Sequence, residues 1–362
     1  HLSGGFVGYL GYESLQYQEP KALPKEGRTP KGQKTFSYGY FEDGLLYDRE
    51  KKRYFYYTRG QDRREMFNRV LANEPVAAEP QIKLTSEGVS QQEFEGRVQS
   101  ILDTEVRPGN TFQTVISRRQ TYSIDGSMME LYKKLREQCP SGNMHAMKMG
   151  DAESIGSFPE LILSVADGEA TTYQVAGTRP LTGHTETDDA SFQNLITDPK
   201  EVAEHMMLID LARNDLARSS KPGSVTVPDE TFMSRLNAGR VMHIATAVRS
   251  STNGMSPLFA LATVSPMGTV SGAPKPRSVR IAHEHENREP RGLYAGSFGF
   301  VDNRGELEAV VGLRAIQRQG DELMIQAGAG IVYDSVPEAE YVETVNKMRA
   351  AKSVIEPFLV DA

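Results

Sequence analysis

Hydrophobic positions in the first part of the chain follow the two-residue period of β-strands. Apolar residues alternate with glycines at 6–12, and aromatic and aliphatic residues dominate 36–47 and 53–58. These three segments predict a β-rich N-terminal part over about 1–75. The stretch at about 76–90 begins with Val, Ala, Glu and Pro and predicts a linker.

The rest of the chain, 91–362, mixes helical and strand patterns. Apolar residues with a period near 3.6 predict long helices at about 200–213 and 336–355. Strand patterns recur at 112–117, 241–248, 293–301, 307–316 and 322–327. Clusters of strands between long helices, without strict alternation, are typical of an α+β fold with largely antiparallel sheets. We expect one domain over 1–362.

The composition is that of an acidic globular protein. With 41 basic and 48 acidic side chains the formal net charge is −7, which argues against a general nucleic-acid or anionic-membrane binder. No apolar run approaches the roughly 18–20 residues of a membrane span. The single cysteine, Cys139, excludes an internal disulfide framework and a cysteine-built zinc site, and it favours a cytoplasmic location. The chain begins at His1 without an initiator methionine or a signal peptide, which is typical of a fragment.

Carboxylates recur at helical spacing on both long helices. Glu201 and Glu204 share one helix face, as do Glu340 and Glu343 on the other. Carboxylates beside apolar residues need a partner or a metal if they are buried, and two helices could clamp one magnesium ion (Mg²⁺). The alternatives are a solvated glutamate pair on the first helix and a surface salt bridge from Glu343 to Lys347 on the second.

Two glycine-rich segments could bind an anion through backbone N–H groups. One is 326–330, which follows an apolar strand, and the other is 268–275, which lacks the Gly-Lys-Ser/Thr ending of a P-loop. Tight turns use glycine equally often. Among isolated polar residues, Arg314 lies in an apolar strand pattern and needs an anionic partner, such as a carboxylate. His243 could transfer a proton or could be a core residue. Together these residues indicate a site for an anion, surrounded by carboxylates.

The order of these motifs resembles that of chorismate-utilising enzymes, and most closely the large subunits (component I) of anthranilate synthases. The motifs are 177–180, 200–215, 268–275, 326–330 and 338–347. The resemblance extends from Gly4 to about Glu356. The N-terminal segment that usually precedes this region in the family looks absent.

The resemblance implies two packed, largely antiparallel β-sheets with helices outside and the active site in the cleft between them. It implies that Glu204 and Glu343 bind Mg²⁺, with support from Glu340. The resemblance also implies three catalytic residues, with Glu201 as general acid, His243 as the base for elimination and Lys275 as a further catalytic residue. It implies that the substrate is bound by Gly177, Thr178, Tyr294, Arg314, Gly328 and Gly330.

The implied reaction is Mg²⁺-dependent amination of chorismate at C2 by ammonia, followed by elimination of pyruvate to give anthranilate for tryptophan biosynthesis. A glutamine amidotransferase subunit would deliver the ammonia, since no glutaminase portion is recognisable here, and a hetero-oligomer is expected. Gln113 stands where water-using relatives have a lysine base, and Ala176 stands where C4-aminating relatives often have a lysine. Two alternatives remain: a synthase that stops at 2-amino-2-deoxyisochorismate, and a binding paralogue without turnover.

Overall fold

Two large antiparallel sheets dominate the structure. The computed structural model describes residues 4–23, 32–73, 78–158, 160–238, 241–252 and 254–360. The strands of this part of the chain are β1 (Gly5–Leu10), β2 (Phe36–Phe41), β3 (Asp43–Asp48), β4 (Arg53–Thr58), β5 (Gln81–Ser86), β6 (Gln113–Asp125), β7 (Asn143–Met149), β8 (Ala152–Phe158), β9 (Leu161–Ala166), β10 (Glu169–Pro180), β11 (Ser234–Ala238), β12 (Val241–Ser251), β13 (Gly272–Ala273), β14 (Ser297–Asp302), β15 (Leu307–Val311), β16 (Ala315–Gln319) and β17 (Glu322–Ile331).

The helices lie mostly between clusters of strands. In the described residues they are α1 (Arg64–Ala72), α2 (Gln91–Ile101), α3 (Met128–Gln138), α4 (Thr185–Thr197), α5 (Pro199–Ala217), α6 (Pro257–Val264), α7 (Gly268–Ser271), α8 (Lys275–His285) and α9 (Pro337–Ile355). Short 3-10 turns occupy Tyr12–Tyr17, Asp229–Thr231 and Glu356–Phe358, and Leu102–Val106 is a π-helical turn. None of the described helices is long and apolar enough to cross a membrane.

The first sheet has eight strands in the order β11-β12-β10-β9-β15-β14-β1-β2. The N-terminal strand β1 lies inside this sheet and pairs with β14 on one side and β2 on the other. The N-terminal part is therefore built into the same sheet as residues near 300. The aromatic segment predicted as one strand at 36–47 is divided, because β3 leaves the sheet to form a separate hairpin with β4.

The second sheet has seven strands: β13-β6-β17-β16-β8-β7, with β5 also on β6. The presence of β5 corrects the predicted linker. Residues 74–77 lie outside the described part of the chain. Gln81–Ser86, however, forms an antiparallel strand along the C-terminal end of β6, from Thr121 to Asp125. Only part of 76–90 therefore remains available as a connection.

The two sheets pack against each other through apolar side chains from both. Tyr9 and Phe298 of the first sheet form one buried cluster with Ala315 of the second, and Met147 and Met149 pack against it. Helix α5 packs on β10 and β12, whereas α9 packs on β17. The predicted architecture of two packed, largely antiparallel sheets with helices outside is confirmed.

Helix α5 is the element that carries one pair of predicted site carboxylates, and its start is well defined. Asp198 caps the helix by accepting hydrogen bonds from the backbone N–H groups of Lys200 (2.9 Å) and Glu201 (3.3 Å). Pro199 occupies the first turn, where a missing N–H costs nothing. The buried face, which includes Leu208, holds the helix against the first sheet, so the glutamates of its first turns have a defined position.

Candidate active site

Strands of both sheets and helices α5 and α9 enclose a cavity of about 490 Å³. Ten of the twelve predicted site residues line it: Gly177, Thr178, Glu204, His243, Tyr294, Arg314, Gly328, Gly330, Glu340 and Glu343. They come from chain segments up to 166 positions apart, from Gly177 to Glu343. Chemically reactive side chains from distant elements thus meet in one cleft between the sheets.

His243 lies on β12, and among the described residues only one of its two ring nitrogens has a hydrogen-bond partner. Its Nδ1 lies 2.8 Å from the carbonyl oxygen of Gly177 and 3.2 Å from Oγ1 of Thr178. Because a carbonyl oxygen only accepts, Nδ1 must carry the proton in this contact. The lone pair then resides on Nε2, which has the character of a base. The register of the first sheet therefore sets the tautomer of a cleft histidine.

Gly177 shapes the wall beside that histidine. It has a φ of +61°, and it lies at a register shift between Ala176 and Arg179 in the pairing of β10 with β12. A Cβ at this position would lie 2.8 Å from Cδ1 of Leu195 and 3.0 Å from Oε2 of Glu201. Both the backbone conformation and the limited space around its Cα favour glycine at this position. Glycine therefore allows the carbonyl oxygen of residue 177 to point toward His243.

The negative charges of the carboxylates on α5 and α9 interact across the cleft. Burial raises the pKa of Glu204, and the negative charges of Glu201 and Glu343 raise it further. The pKa of Glu340 is also raised, first by burial and then by Glu343. Lys347 relieves part of this repulsion, since its Nζ lies 2.5 Å from Oε1 of Glu343. The predicted surface salt bridge is thus present, but it forms at the wall of the cleft.

This donor set fits a hard cation that retains water. Within the described ranges, no group of three or more His, Cys, Asp or Glu side chains forms a ready-made metal site. Glu204 and Glu343 would instead supply two carboxylates, with the remaining ligands left to water and substrate oxygens, as Mg²⁺ prefers. The negative charges of Glu201 and Glu343, which raise the pKa of Glu204, form the arrangement that a divalent cation would relieve.

The cleft also offers hydrogen-bond donors. Arg314 was predicted within a strand, but the structure places it in the short connection between β15 and β16, with a φ of +49°. This exposed guanidinium faces the cavity. A non-glycine residue in this conformation is uncommon, and such positions often occur at functional sites.

Gly328 and Gly330 lie in the interior of β17, not in a loop as predicted. The pairing of β17 with β16 ends at Ile325, so the following segment is paired only with β6. The carbonyl oxygen of Gly328 accepts a hydrogen bond from Nζ of Lys347 (3.0 Å) and therefore points away from β6. The N–H of the same residue shares this direction and is open to an acceptor in the cleft. A Cβ on Gly328 would lie 2.9 Å from the hydroxyl oxygen of Tyr294.

Glu160 was not among the predicted site residues, yet its carboxyl group has the most strongly shifted pKa in this cleft. Burial raises the pKa of Glu160 to about 7, although Thr269 and the charge of Arg314 oppose the shift. Oγ1 of Thr269 donates to Oε1 of Glu160 over 3.4 Å. A carboxyl group that keeps its proton near neutral pH can serve as a general acid. Its only sequence signal is position, directly before the apolar strand β9.

Two predicted catalytic residues lie elsewhere. Lys275 is buried and bound to Asp215, with 2.7 Å between Nζ and Oδ2, and it is not among the residues that line the cleft. This ammonium is enclosed by the protein, so the contacts that the structure shows for Lys275 are structural, and its predicted catalytic role stays a prediction. Glu201 is also absent from the lining and accepts a hydrogen bond from Arg179 over 3.2 Å. It supports the site through its charge on Glu204.

The glycine segment before Lys275 also has a packing role. Its first residues form the short helix α7, and a Cβ on Gly272 would lie 2.2 Å from the carbonyl oxygen of Gln113. This close approach of two backbones explains the glycine. The segment contributes Thr269 and Val270 to the cleft and forms no anion-binding loop there.

Residues 1–353 match the family described as chorismate binding enzyme. Anthranilate synthase component 1 of Methanothermobacter marburgensis is 36% identical over 355 residues, which cover 98% of this chain and 75% of that protein. The same component of Pseudomonas aeruginosa is 34% identical over 370 residues and covers 96% of this chain and 74% of that protein.

Solved structures agree with these sequence relationships. Anthranilate synthase component I of Streptococcus pneumoniae superposes with a TM-score of 0.82 at 31% identity, covering 98% of this chain and 80% of that one. The menaquinone-specific isochorismate synthase of Escherichia coli shares the fold, with a TM-score of 0.67 at 22% identity over 80% of this chain and 67% of that one. The chain belongs to the chorismate-binding enzyme family.

Proposed function

We propose that this enzyme aminates chorismate at C2 with ammonia and then eliminates pyruvate, so that the product is anthranilate. The observation that carries the proposal is the meeting, in one cleft, of a carboxylate pair, a guanidinium, a carboxyl group whose pKa is raised to about 7 and a histidine whose Nδ1 is held by a backbone carbonyl oxygen. Chorismate has two carboxylates, a C4 hydroxyl that must leave and a C2 proton that must be removed, and each has a counterpart here.

The two acid groups of the substrate suit two sets of groups in the cleft. Arg314, the N–H of Gly328 and the hydroxyl of Tyr294 offer donors for the enolpyruvyl carboxylate. Glu204 and Glu343 would hold Mg²⁺, and the ring carboxylate would complete its ligands. When bound, the ion would neutralise charge on that carboxylate and draw electron density from the ring. An acidic protein could then bind a dianion.

Glu160 and His243 divide the proton transfers between the two steps. In the first, the ammonia nitrogen forms a bond to C2 as the double bonds shift and the C4–O bond breaks. Glu160 gives its proton to the departing hydroxyl, which leaves as water. In the second, Nε2 of His243 takes the C2 proton, the C3–O bond breaks, and the ring becomes aromatic as pyruvate departs. The structure favours Glu160 over Glu201 as the acid, because Glu201 is engaged by Arg179.

Gln113 supports ammonia as the nucleophile. It is 6% exposed and lines the cleft, and its Oε1 has no hydrogen-bond donor among the described residues. An amide cannot act as a base toward water, but its oxygen can accept a hydrogen bond from ammonia. The small side chain of Ala176, at another wall of the cleft, leaves no amine to attack C4.

The ammonia would come from a glutamine amidotransferase partner. The similar proteins are each a component 1 of anthranilate synthase, and the number implies a further component. We therefore expect a hetero-oligomer, with free ammonium able to replace the partner in vitro.

The proposal is tested by incubating the chain with chorismate, Mg²⁺ and ammonium at mildly alkaline pH. Anthranilate fluorescence and pyruvate release should rise together. Loss of chorismate with an aminated product that retains its enolpyruvyl group would replace the proposal with 2-amino-2-deoxyisochorismate synthesis. A folded chain that binds chorismate without consuming it would be a binding paralogue.

A further inference from the structure

A second polar cavity, of about 460 Å³, lies at the edge of β6 and is separate from the catalytic cleft. Strand β13 pairs with β6 as far as Thr114, and β5 pairs with it only from Thr121 onward. Between these points no described strand pairs with this edge of β6, but the Ser117 N–H donates to Glu286 (2.6 Å) and Arg291 donates to the carbonyl oxygen of Val115 (2.6 Å). Ser117, Arg118 and Arg119 line the cavity from this segment, together with Arg97 of α2.

Most of the charges around this cavity are already paired. Arg97 contacts Glu93 at 2.7 Å, and Arg119 contacts Glu289 at 3.0 Å. Glu286, which also lines the cavity, is bound by Arg291 at 2.6 Å. These pairs leave little net charge of their own.

Arg118 is different. It is only 6% exposed, and within the ranges that the structure describes its Nε has no hydrogen-bond acceptor. The guanidinium lies over the ring of Tyr341, with 4.8 Å between Cζ and the ring centroid. A ring face stabilises a cation but satisfies none of its N–H groups. A buried guanidinium N–H without an acceptor is costly, and an anion that accepts a hydrogen bond from Nε would remove that cost.

We propose that this cavity binds a small monocarboxylate through Arg118. A planar carboxylate can accept two parallel hydrogen bonds from one guanidinium. A phosphate dianion is a poorer match, because Glu93, Glu289 and Glu322 also line the cavity and would repel a second negative charge. Gln326, another lining residue, pairs with Arg119 and so its side chain lies on the opposite face of the sheet from Arg118, which leaves Arg118 as the group that binds the carboxylate.

The test uses the full chain carrying Arg314→Gln, which weakens carboxylate binding in the catalytic cleft. Binding of ¹³C-labelled acetate is followed by line broadening, and inorganic phosphate is tested in parallel at equal ionic strength. We expect acetate to bind this background and Arg118→Gln to weaken binding at least about tenfold. The control Arg119→Gln/Glu289→Gln removes a charged pair together and should change affinity by less than about twofold.

Equal acetate binding with and without Arg118 would overturn the proposal, as would no acetate binding to the background protein. Tighter binding of phosphate than of acetate would overturn the choice of ligand class. If Arg118→Gln does not fold, Arg118→Lys retains the charge and lacks the planar fork. That variant should still weaken acetate binding several-fold, and unchanged binding would also contradict the proposal.

Discussion

Nζ of Lys275 lies 2.7 Å from Oδ2 of Asp215, and the two side chains are only 3% and 6% exposed. The same ammonium donates to the carbonyl oxygens of Thr263 (3.4 Å) and Val264 (3.2 Å). This buried pair ties the start of α8 to the end of α5, the helix that carries Glu204. The contacts of Lys275 in the structure therefore support the active site by positioning a helix.

We predict that Asp215→Asn destabilises the protein by about 3–5 kcal/mol, since it leaves the buried ammonium unpaired. Replacing both partners, as in Lys275→Met/Asp215→Leu, should recover most of that loss. The free energy of unfolding in urea measures both effects. If Lys275→Met lowered kcat in a protein of normal stability, a direct catalytic role would be supported.

Glu160→Gln should lower kcat by about 10²–10⁴-fold, the usual contribution of a general acid, with little change in the KM for chorismate. The raised pKa of about 7 predicts a pH dependence as well. The acid is active when protonated, so kcat/KM should fall as the pH rises above about 7, at a fixed concentration of free ammonia. The control variant Glu153→Gln, whose partly exposed side chain lies on β8 and pairs with Lys148, should show the same pH profile as the unmodified enzyme. An unchanged rate in Glu160→Gln would return the role to Glu201.

His243→Ala should separate the two chemical steps. Because Nε2 is the base for the second step only, pyruvate release should fall by about 10²-fold more than chorismate consumption. An aminated intermediate that retains its enolpyruvyl group should accumulate and be visible by chromatography. Equal loss of both steps in a folded variant would show that His243 does not have this role.

Glu343→Gln should weaken the binding of Mg²⁺ and lower turnover by about 100-fold or more at limiting metal, since several kcal/mol of charge stabilisation would be lost. Glu338→Gln, an exposed change on the same helix, is the matched control and should leave the metal dependence unchanged. Normal activity of Glu343→Gln at limiting Mg²⁺ would exclude it as a ligand.

Local patterns in the sequence were enough to predict the main elements and the overall class of fold. Helix α5 has a clear start at Asp198 and Pro199, and its glutamates recur at helical spacing. Their convergence with α9 depends on sheet pairings between distant segments, which no local period specifies. Only the resemblance to a known family connected these motifs into one site.

The differences between prediction and structure have a common physical origin. Lys275 and Arg314 are both cations among apolar residues, yet one is neutralised by Asp215 and the other faces a cavity. The sequence around each shows the cation but not its partner. Glu160 was missed for the same reason, because its pKa is set by burial between elements that are far apart in the chain.

The most direct test of the account is the stoichiometry of a single time course with chorismate, Mg²⁺ and ¹⁵N-ammonium. The account predicts one ¹⁵N-anthranilate and one pyruvate for each chorismate consumed, with no isochorismate. Formation of isochorismate, or amination at C4, would contradict the central claim that this cleft directs ammonia to C2.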